Sequence, residues 1–405
     1  MRIAIILSGI AGKSGTERQA LSLASALKRE GHHVDLFCYW HSPDKCYTEL
    51  VKGFDVHYVK LLKEEKRAEK PAGRKFLPEK IRYFGRIYFP LIKKILFTEK
   101  PLKELKELME KTNPLSFYDV LNLHEYEICG IARILRHPNI VCMLNDAGHT
   151  ISRGKHPIHN FFYNILQRIY NRLIFRNIKK ITVLNEGSVK ICQESYGLTP
   201  TVVRSGIDIQ IFKDFPATRE FPPKTLKIFA SGIFSPHRRF EDLADAIEIV
   251  RDKGVKNIEA EINGKHDRHH EYYLFIQERI RQKKLDGYIK ITSGMSEEEL
   301  RRKIRDSHIF VFPNINQTWG LAVFEAMLGG CVPIVNREAG ASEILTDNKN
   351  ALLVNPLSPR EIADKIIYLA ENPQVLQKIS EEAPKFVKEN LSWEKYAEAM
   401  LKAFK

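Results

Sequence analysis

The sequence predicts an α/β protein built of two doubly wound domains, and three observations carry the prediction. Its 405 residues exceed the roughly 250–300 that one hydrophobic core normally serves. Short apolar runs alternate with segments of helical period almost from end to end, the pattern of parallel strands covered by helices. Between two such series lies FKDFPATREFPPK, rich in proline and without period, which reads as a linker.

The first series opens with an apolar strand at 2–8, a loop containing Gly9, Gly12 and Gly15, and a helix at 17–29. Gly31 stops that helix and a second strand follows at 34–39, completing one βαβ unit. Further strands are expected at 56–59, 120–123, 140–144, 181–184 and 201–204. The second series predicts strands at 226–231, 258–263, 289–292, 309–312, 332–335 and 352–354. Its helices are expected at 240–253, 271–284, 297–305, 321–328 and 359–371. The domains are thus set at 1–212 and 224–385, with a linker at 213–223. A final amphipathic helix within 386–405 has no obvious place in the second sheet and is free to pack back on the first domain.

Hydrophobic residues make up 43%, aromatic 10% and charged 28% of the chain, which leaves no room for general disorder. No run approaches the roughly 18 apolar residues of a bilayer-spanning helix. The apolar opening MRIAIILSGIAG runs into Lys13, Gly15 and Thr16 without a cleavage pattern. It therefore reads as a first strand, and a cytoplasmic location is expected. Cys38, Cys46, Cys129, Cys142, Cys192 and Cys331 never take C-x-x-C spacing, which argues against a zinc or redox pair. Lys and Arg number 64 against 50 Asp and Glu, a net charge of +14, so the field attracts anions such as nucleotides, nucleic acid or acidic lipid.

Open parallel sheets bind ligands beyond the carboxyl ends of their strands. The informative loop there is PNINQTWGLAVFEAMLGGCVPIV, residues 313–335. It leaves a strand at Pro313, crosses polar residues to Gly320 and starts a helix at Leu321. Unpaired N–H groups and a positive dipole end at that helix start suit a diphosphate. Glu325, about one turn in, is placed to accept both hydroxyls of a ribose.

This segment resembles the signature of the retaining GT-B glycosyltransferases of family 4, the glycosyl transferases group 1. Glu325, Ala326 and Met327 match the second carboxylate and its neighbours, and Gln317 stands where the first glutamate usually stands. SGTERQALSLASALKREGHHV resembles the family's glycine loop and first helix, with Ser14 in place of one glycine. RSGIDIQIF, at 204–212, resembles the segment closing the first domain, with Ser205 in the Asn place. SGIFSPHRRFEDL, at 231–243, resembles the donor-diphosphate loop, and GASEIL, at 340–345, the late Gly-x-x-Glu element.

The resemblance implies a GT-B architecture, two Rossmann-like domains facing a cleft with donor on the second and acceptor on the first. It implies transfer of a sugar from a nucleoside diphosphate sugar to a glycan or lipid-linked acceptor. Retention is expected without a protein nucleophile, a metal or another cofactor, so the protein supplies positioning and charge stabilisation. His124, Asp146, Arg238 and Gln317 are the catalytic candidates. Gly15, Thr16, Gly232, Arg238, Arg239, Thr318, Trp319, Gly320, Leu321 and Glu325 are the donor-binding candidates. In the diphosphate loop Ile233 replaces the usual Arg, Arg238 holds the place of a Lys and Arg239 that of a Gly. A guanidinium grips phosphate oxygens bidentately, so charge is kept by another route. Gln317 lacks the negative charge of a glutamate and is expected to orient the donor sugar by hydrogen bonds. The alternatives are a phosphorylase or epimerase on the same fold, or a basic nucleotide- or nucleic-acid-binding protein. No nucleic-acid motif is present, and nucleic acid is not an expected partner.

Two basic stretches admit two readings each. Residues 60–105 carry fourteen Lys and Arg against six Asp and Glu, interleaved with aromatics. HNFFYNILQRIYNRLIFRNIKK sets Arg168, Arg172 and Arg176 beside Ile165, Ile169 and Leu173. Either is a solvated basic face over an ordinary core, or a helix lying on an anionic membrane surface, which would make the protein peripheral on the cytoplasmic face. His266, His269 and His270 lack an acidic or cysteine partner at regular spacing and read as solvent-exposed.

Overall fold

The computed structural model describes residues 1–61, 91–96, 99–146, 157–216, 218–266 and 269–405. Most of the basic stretch at 60–105 therefore lies outside the described residues. The chain divides into two compact units, Met1–Ser205 with Trp393–Lys405, and Gly206–Ser392.

The first unit is built on seven parallel strands: β1 (Arg2–Ile10), β2 (His33–His41), β3 (Val56–Leu61), β4 (Val120–His124), β5 (Ile140–Leu144), β6 (Lys180–Val183) and β7 (Thr201–Val202). Their order is β3-β2-β1-β4-β5-β6-β7, so the winding reverses between β1 and β4, the place where such sheets take ligands. Helices α1 (Gly15–Arg29), α2 (Lys100–Thr112), α3 (Pro157–Phe175) and α4 (Glu186–Tyr196) belong to this unit. Every residue of β4 and β5 is buried, which is why β5 reads as a continuous apolar run, while β4 also buries the polar Asn122 and His124.

Helix α1 starts two residues earlier than its apolar period suggests because Ser14 and Glu17 form a capping box. Its inner face carries Ala20, Leu21, Leu23, Ala24 and Leu27, all fully buried, each larger aliphatic contributing about 1.5–3 kcal/mol of burial. Gly31 follows at φ +83°, a left-handed stop that glycine adopts without Cβ strain.

The second unit has six parallel strands: β8 (Leu226–Ser231), β9 (Ile258–Asn263), β10 (Ile289–Thr292), β11 (Ile309–Phe312), β12 (Val332–Asn336) and β13 (Leu352–Val354). The order β10-β9-β8-β11-β12-β13 puts its reversal between β8 and β11. Helices α5 (Phe240–Asp252), α6 (His270–Gln282), α7 (Glu297–Asp306), α8 (Leu321–Leu328), α9 (Pro359–Glu371) and α10 (Pro373–Asn390) accompany it. Helix α10 was not expected: Pro384 lies inside it and speaks against a continuous helix. Buried Leu376, Ile379, Ala383 and Val387 hold it to the unit nonetheless, packing overriding propensity.

The unit boundary falls before the expected linker. Residues 212–219 belong to the second unit, where Arg305 stacks its guanidinium 5.0 Å from the Phe212 ring. Its Nη2 also donates to the Phe212 carbonyl at 3.1 Å, and Arg219 donates to the Gly329 carbonyl. These contacts hold Phe212 and Arg219 to the second unit. Helix α11 (Trp393–Phe404) is counted with the first unit, its Arg29–Glu394 ion pair at 2.7 Å and its Phe404 carbonyl accepting from Asn139 Nδ2 at 2.7 Å. No described helix is long and apolar enough to cross a membrane.

Candidate active site

At the reversal point of the second sheet, β8 ends in a loop through Gly232 to the short turn Pro236–Arg238, and β11 ends in the loop 313–320. The two loops are joined: Ile315 N donates to the His237 carbonyl at 2.9 Å. Buried Asn336, at the end of β12, fixes the second loop from behind by donating to the Asn314 carbonyl at 2.9 Å. Gly340 N and Ala341 N close it by donating to the Gln317 and Trp319 carbonyls at 2.8 and 3.0 Å. GASEIL thus meets the same loop.

Arg238 is the centre of this cluster. Its Nη1 donates to Gln317 Oε1 at 3.2 Å. With the Asn314 amide turned to satisfy both of its ends, Nη1 also donates to Asn314 Oδ1 at 2.6 Å and Asn314 Nδ2 donates to the Arg238 carbonyl at 3.3 Å. Nε is buried without a partner among the described residues. The side chain lies over Gly232, where a Cβ would sit 3.1 Å from Nε. No carboxylate pairs with Arg238 among the described residues. Burial lowers its pKa, but a guanidinium remains charged, so the loop holds a cation whose charge is unmatched.

Arg239, its neighbour, is in the opposite state. Nη1 pairs with Glu241 at 2.7 Å, and Nε and Nη2 grip Asp242 at 3.0 and 2.6 Å. Its φ of +53° explains why a glycine suits the position, and its ion pairs secure the first turn of α5. Arg239 is spent on structure.

Helix α8 begins beside this cation. Gly320 precedes it at φ +122°, and a Cβ there would come within 3.1 Å of the Phe312 ring, so both strain and space call for glycine. Trp319 is buried, with its ring 5.0 Å from that of Phe324. Thr318, Leu321 and Glu325 are half-buried. The structure therefore brings Gly232, Arg238, Gln317, Thr318, Trp319, Gly320 and Leu321 to one edge, with Glu325 a turn deeper.

The first unit presents a different edge. Gly15 is exposed and Thr16 half-buried, but the loop before them has its own anion. Glu17 Oε1 accepts from Ala11 N and Gly12 N at 2.8 and 3.0 Å, and Oε2 accepts from Ser14 N at 2.9 Å. His124 is fully buried. Its Nε2 meets Asn122 Oδ1 at 2.8 Å and its Nδ1 has no partner among the described residues. Burial pulls its pKa down to about 3, so it is neutral. Asp146 lies half-buried past the end of β5.

The residue that sequence reasoning passed over is Glu125. It follows β4 at the reversal point with φ +82°, uncommon for a residue with a Cβ. Its carboxylate accepts from Ser8 Oγ of β1. Burial, aided by Glu127 and Glu17 and opposed by the Ser8 hydrogen bond, raises its pKa to about 7. The available signal was its place directly after a strand-end histidine.

Two doubly wound units of this kind in one chain define the GT-B class of glycosyltransferase. Residues 212–386 match Glycosyl transferases group 1 and residues 13–211 match Glycosyltransferase Family 4. The two matches together span most of the chain, which belongs to this family of glycosyl transferases. It is 28% identical to sucrose synthase 1 of Hordeum vulgare over 42% of its own length and 21% of that protein. An uncharacterized glycosyltransferase of Methanocaldococcus jannaschii is 27% identical over 43% of this chain and 46% of its own. The chain thus spans less than half the length of these relatives. Among solved structures, Anabaena Alr3699/HepE in complex with UDP superimposes with a TM-score of 0.69 at 15% identity, over 100% of this chain and 99% of that one. A glycosyltransferase from Rickettsia africae gives 0.68 at 15% identity, over 100% and 97%.

Proposed function

We propose that this enzyme transfers a glycosyl group from a nucleoside diphosphate sugar with retention at the anomeric carbon. The observation that carries the reading is Arg238, a half-buried cation whose partners among the described residues are the neutral oxygens of Gln317 and Asn314, next to the start of α8. A diphosphate supplies the missing negative charge, receiving Arg238 and the first N–H groups of α8 together. Glu325 takes the ribose hydroxyls, and Gln317, oriented by Arg238, donates to a hydroxyl of the sugar. Fold relatives crystallised with UDP and UDP-glucose support a uridine donor as the first probe.

In the reaction, the bond from the anomeric carbon to the diphosphate oxygen breaks while the acceptor oxygen bonds the same face of the sugar. The acceptor proton leaves to a diphosphate oxygen. Arg238 stabilises the charge that develops on the leaving group. Glu125 replaces His124 as the acceptor-side group, because a neutral, fully enclosed imidazole reaches no substrate. Arg239, Gly15 and Thr16 drop out of the donor site, since Arg239 is already paired and the β1–α1 loop amides already hold Glu17. No residue cluster in this reading calls for a metal.

Calorimetry with UDP, GDP, ADP and their glucose conjugates tests the donor reading. Saturable binding of one nucleotide series is expected, lost in Arg238→Gln. Equal, weak binding of all three in the wild type sinks it. Product analysis by NMR then separates transfer with retention from a phosphorylase, which requires inorganic phosphate as the second substrate.

A further inference from the structure

Helix α3 exposes a second apolar face besides the one it packs into the core. A surface helix normally buries its apolar stripe and exposes its polar one. Here Gln167 and Asn171 point inward, Gln167 Nε2 donating to Tyr126 Oη at 2.7 Å and to Asn171 Oδ1 at 3.1 Å. Tyr170, Ile174 and Phe175 complete the buried face, with Tyr163 and Leu166 packed against the same core. Turned outward are Phe161 (62% exposed), Phe162 (55%), Ile165 (40%) and Ile169 (42%). The helical rotation of about 100° per residue places these four within one sector of the helix. Arg168, Arg172 and Arg176 share that sector and are exposed, and none pairs with a carboxylate among the described residues. From 157 to 185 the chain has five Lys and Arg and no Asp or Glu.

We propose that this face of α3 docks the enzyme on an anionic lipid surface, with Phe161 and Phe162 entering the acyl boundary and the three arginines lying among the phosphodiesters. The two phenylalanine rings, 5.7 Å apart, form an apolar wedge near the amino end of the helix, and the cations follow toward the carboxyl end. That sequence of an apolar tip and a cationic flank suits a surface that is itself layered, hydrocarbon beneath phosphate. A second copy of this chain is a poor occupant: a two-fold interface sets each patch against itself, bringing arginines against arginines without counter-charge. The docking function is independent of the donor reading, because it uses no residue of the second unit.

Flotation with phosphatidylcholine vesicles, with and without phosphatidylglycerol, tests it. Binding to the anionic vesicles alone is expected, weakening as salt rises. R168Q/R172Q/R176Q together lower the partition coefficient about a hundredfold, and F161S/F162S lowers it about tenfold or more. Both variants keep the wild-type thermal midpoint and UDP titration, which separates lost docking from lost folding and from failure of the donor reading. Three results overturn the proposal: no flotation on anionic vesicles, variants that float like the wild type, or a stable dimer in sedimentation that F161S/F162S dissolves.

Discussion

Both units place a strand-to-helix loop at the carboxyl edge of a parallel sheet, yet the two loops are in opposite electrostatic states. In the first unit Glu17 folds back onto the amides of Ala11, Gly12 and Ser14, so the loop supplies its own anion. In the second, Arg238 meets only amide oxygens among the described residues, and the start of α8 has no capping side chain at Gly320. The same architecture therefore yields one loop whose charge is matched from within and one whose cation is not. Under the proposed function that unmatched charge, and not fold position alone, is what selects the second loop for a diphosphate.

The contrast can be broken at four points. Arg238→Gln removes the only unmatched cation described at the second loop, and UDP-glucose turnover is expected to fall by about 10³ in kcat/KM, with Arg238→Lys recovering part of it. If steady-state kinetics find the Gln variant within twofold of wild type, the two loops do not differ in function.

Glu125→Gln is expected to lower turnover by about 100-fold and to remove the limb of the pH–rate profile near neutrality. Its stability effect has a defined sign. Glu125 titrates at about 7 in the folded chain against an ordinary 4.5, so the folded state holds the extra proton. Stability from this group is full below pH 4.5 and declines until pH 7, by about 3 kcal/mol. Denaturant melts of the Gln variant should lack that decline; an unchanged slope assigns the pH dependence elsewhere.

Glu17→Ala strips three backbone amides and the capping box of their acceptor. About 2 kcal/mol of stability is expected to go, read as a lowered unfolding midpoint, while UDP affinity stays within error. Smallest is Gly15→Ala. Nothing lies within 4 Å of a Cβ at that site, so neither midpoint nor UDP affinity should move; a large loss of affinity would return the first loop to the donor site.

Much of this was legible in the sequence, and the reason is local. β5 and β11 are buried on both faces and announce themselves as unbroken apolar runs, and the 313–335 segment carries its strand, loop and helix start in consecutive residues. Ser14 and Glu17 also formed a readable S-x-x-E cap, although the glycines beside them drew attention to phosphate instead. What escaped depends on contacts distant in sequence. Glu125 owes its raised pKa chiefly to burial, with Glu17, 108 positions away, adding to it and the Ser8 hydrogen bond opposing it, and His124 owes its neutrality to complete burial. Likewise, the ion pairs that commit Arg239 depend on a left-handed backbone at its own position, and α10 persists through Pro384 only because its inner face is packed.

Helix α11 joins residues 393–405 to a unit whose other members end at Ser205. During synthesis the first unit is therefore left without one of its layers while the whole of the second emerges. Met400, Tyr396 and Phe404 are buried only after that return, so a ribosome stalled near residue 392 should release a nascent chain with a finished second unit and an open first one. Residues 1–205 are thus sealed only after residues 206–392 have been made.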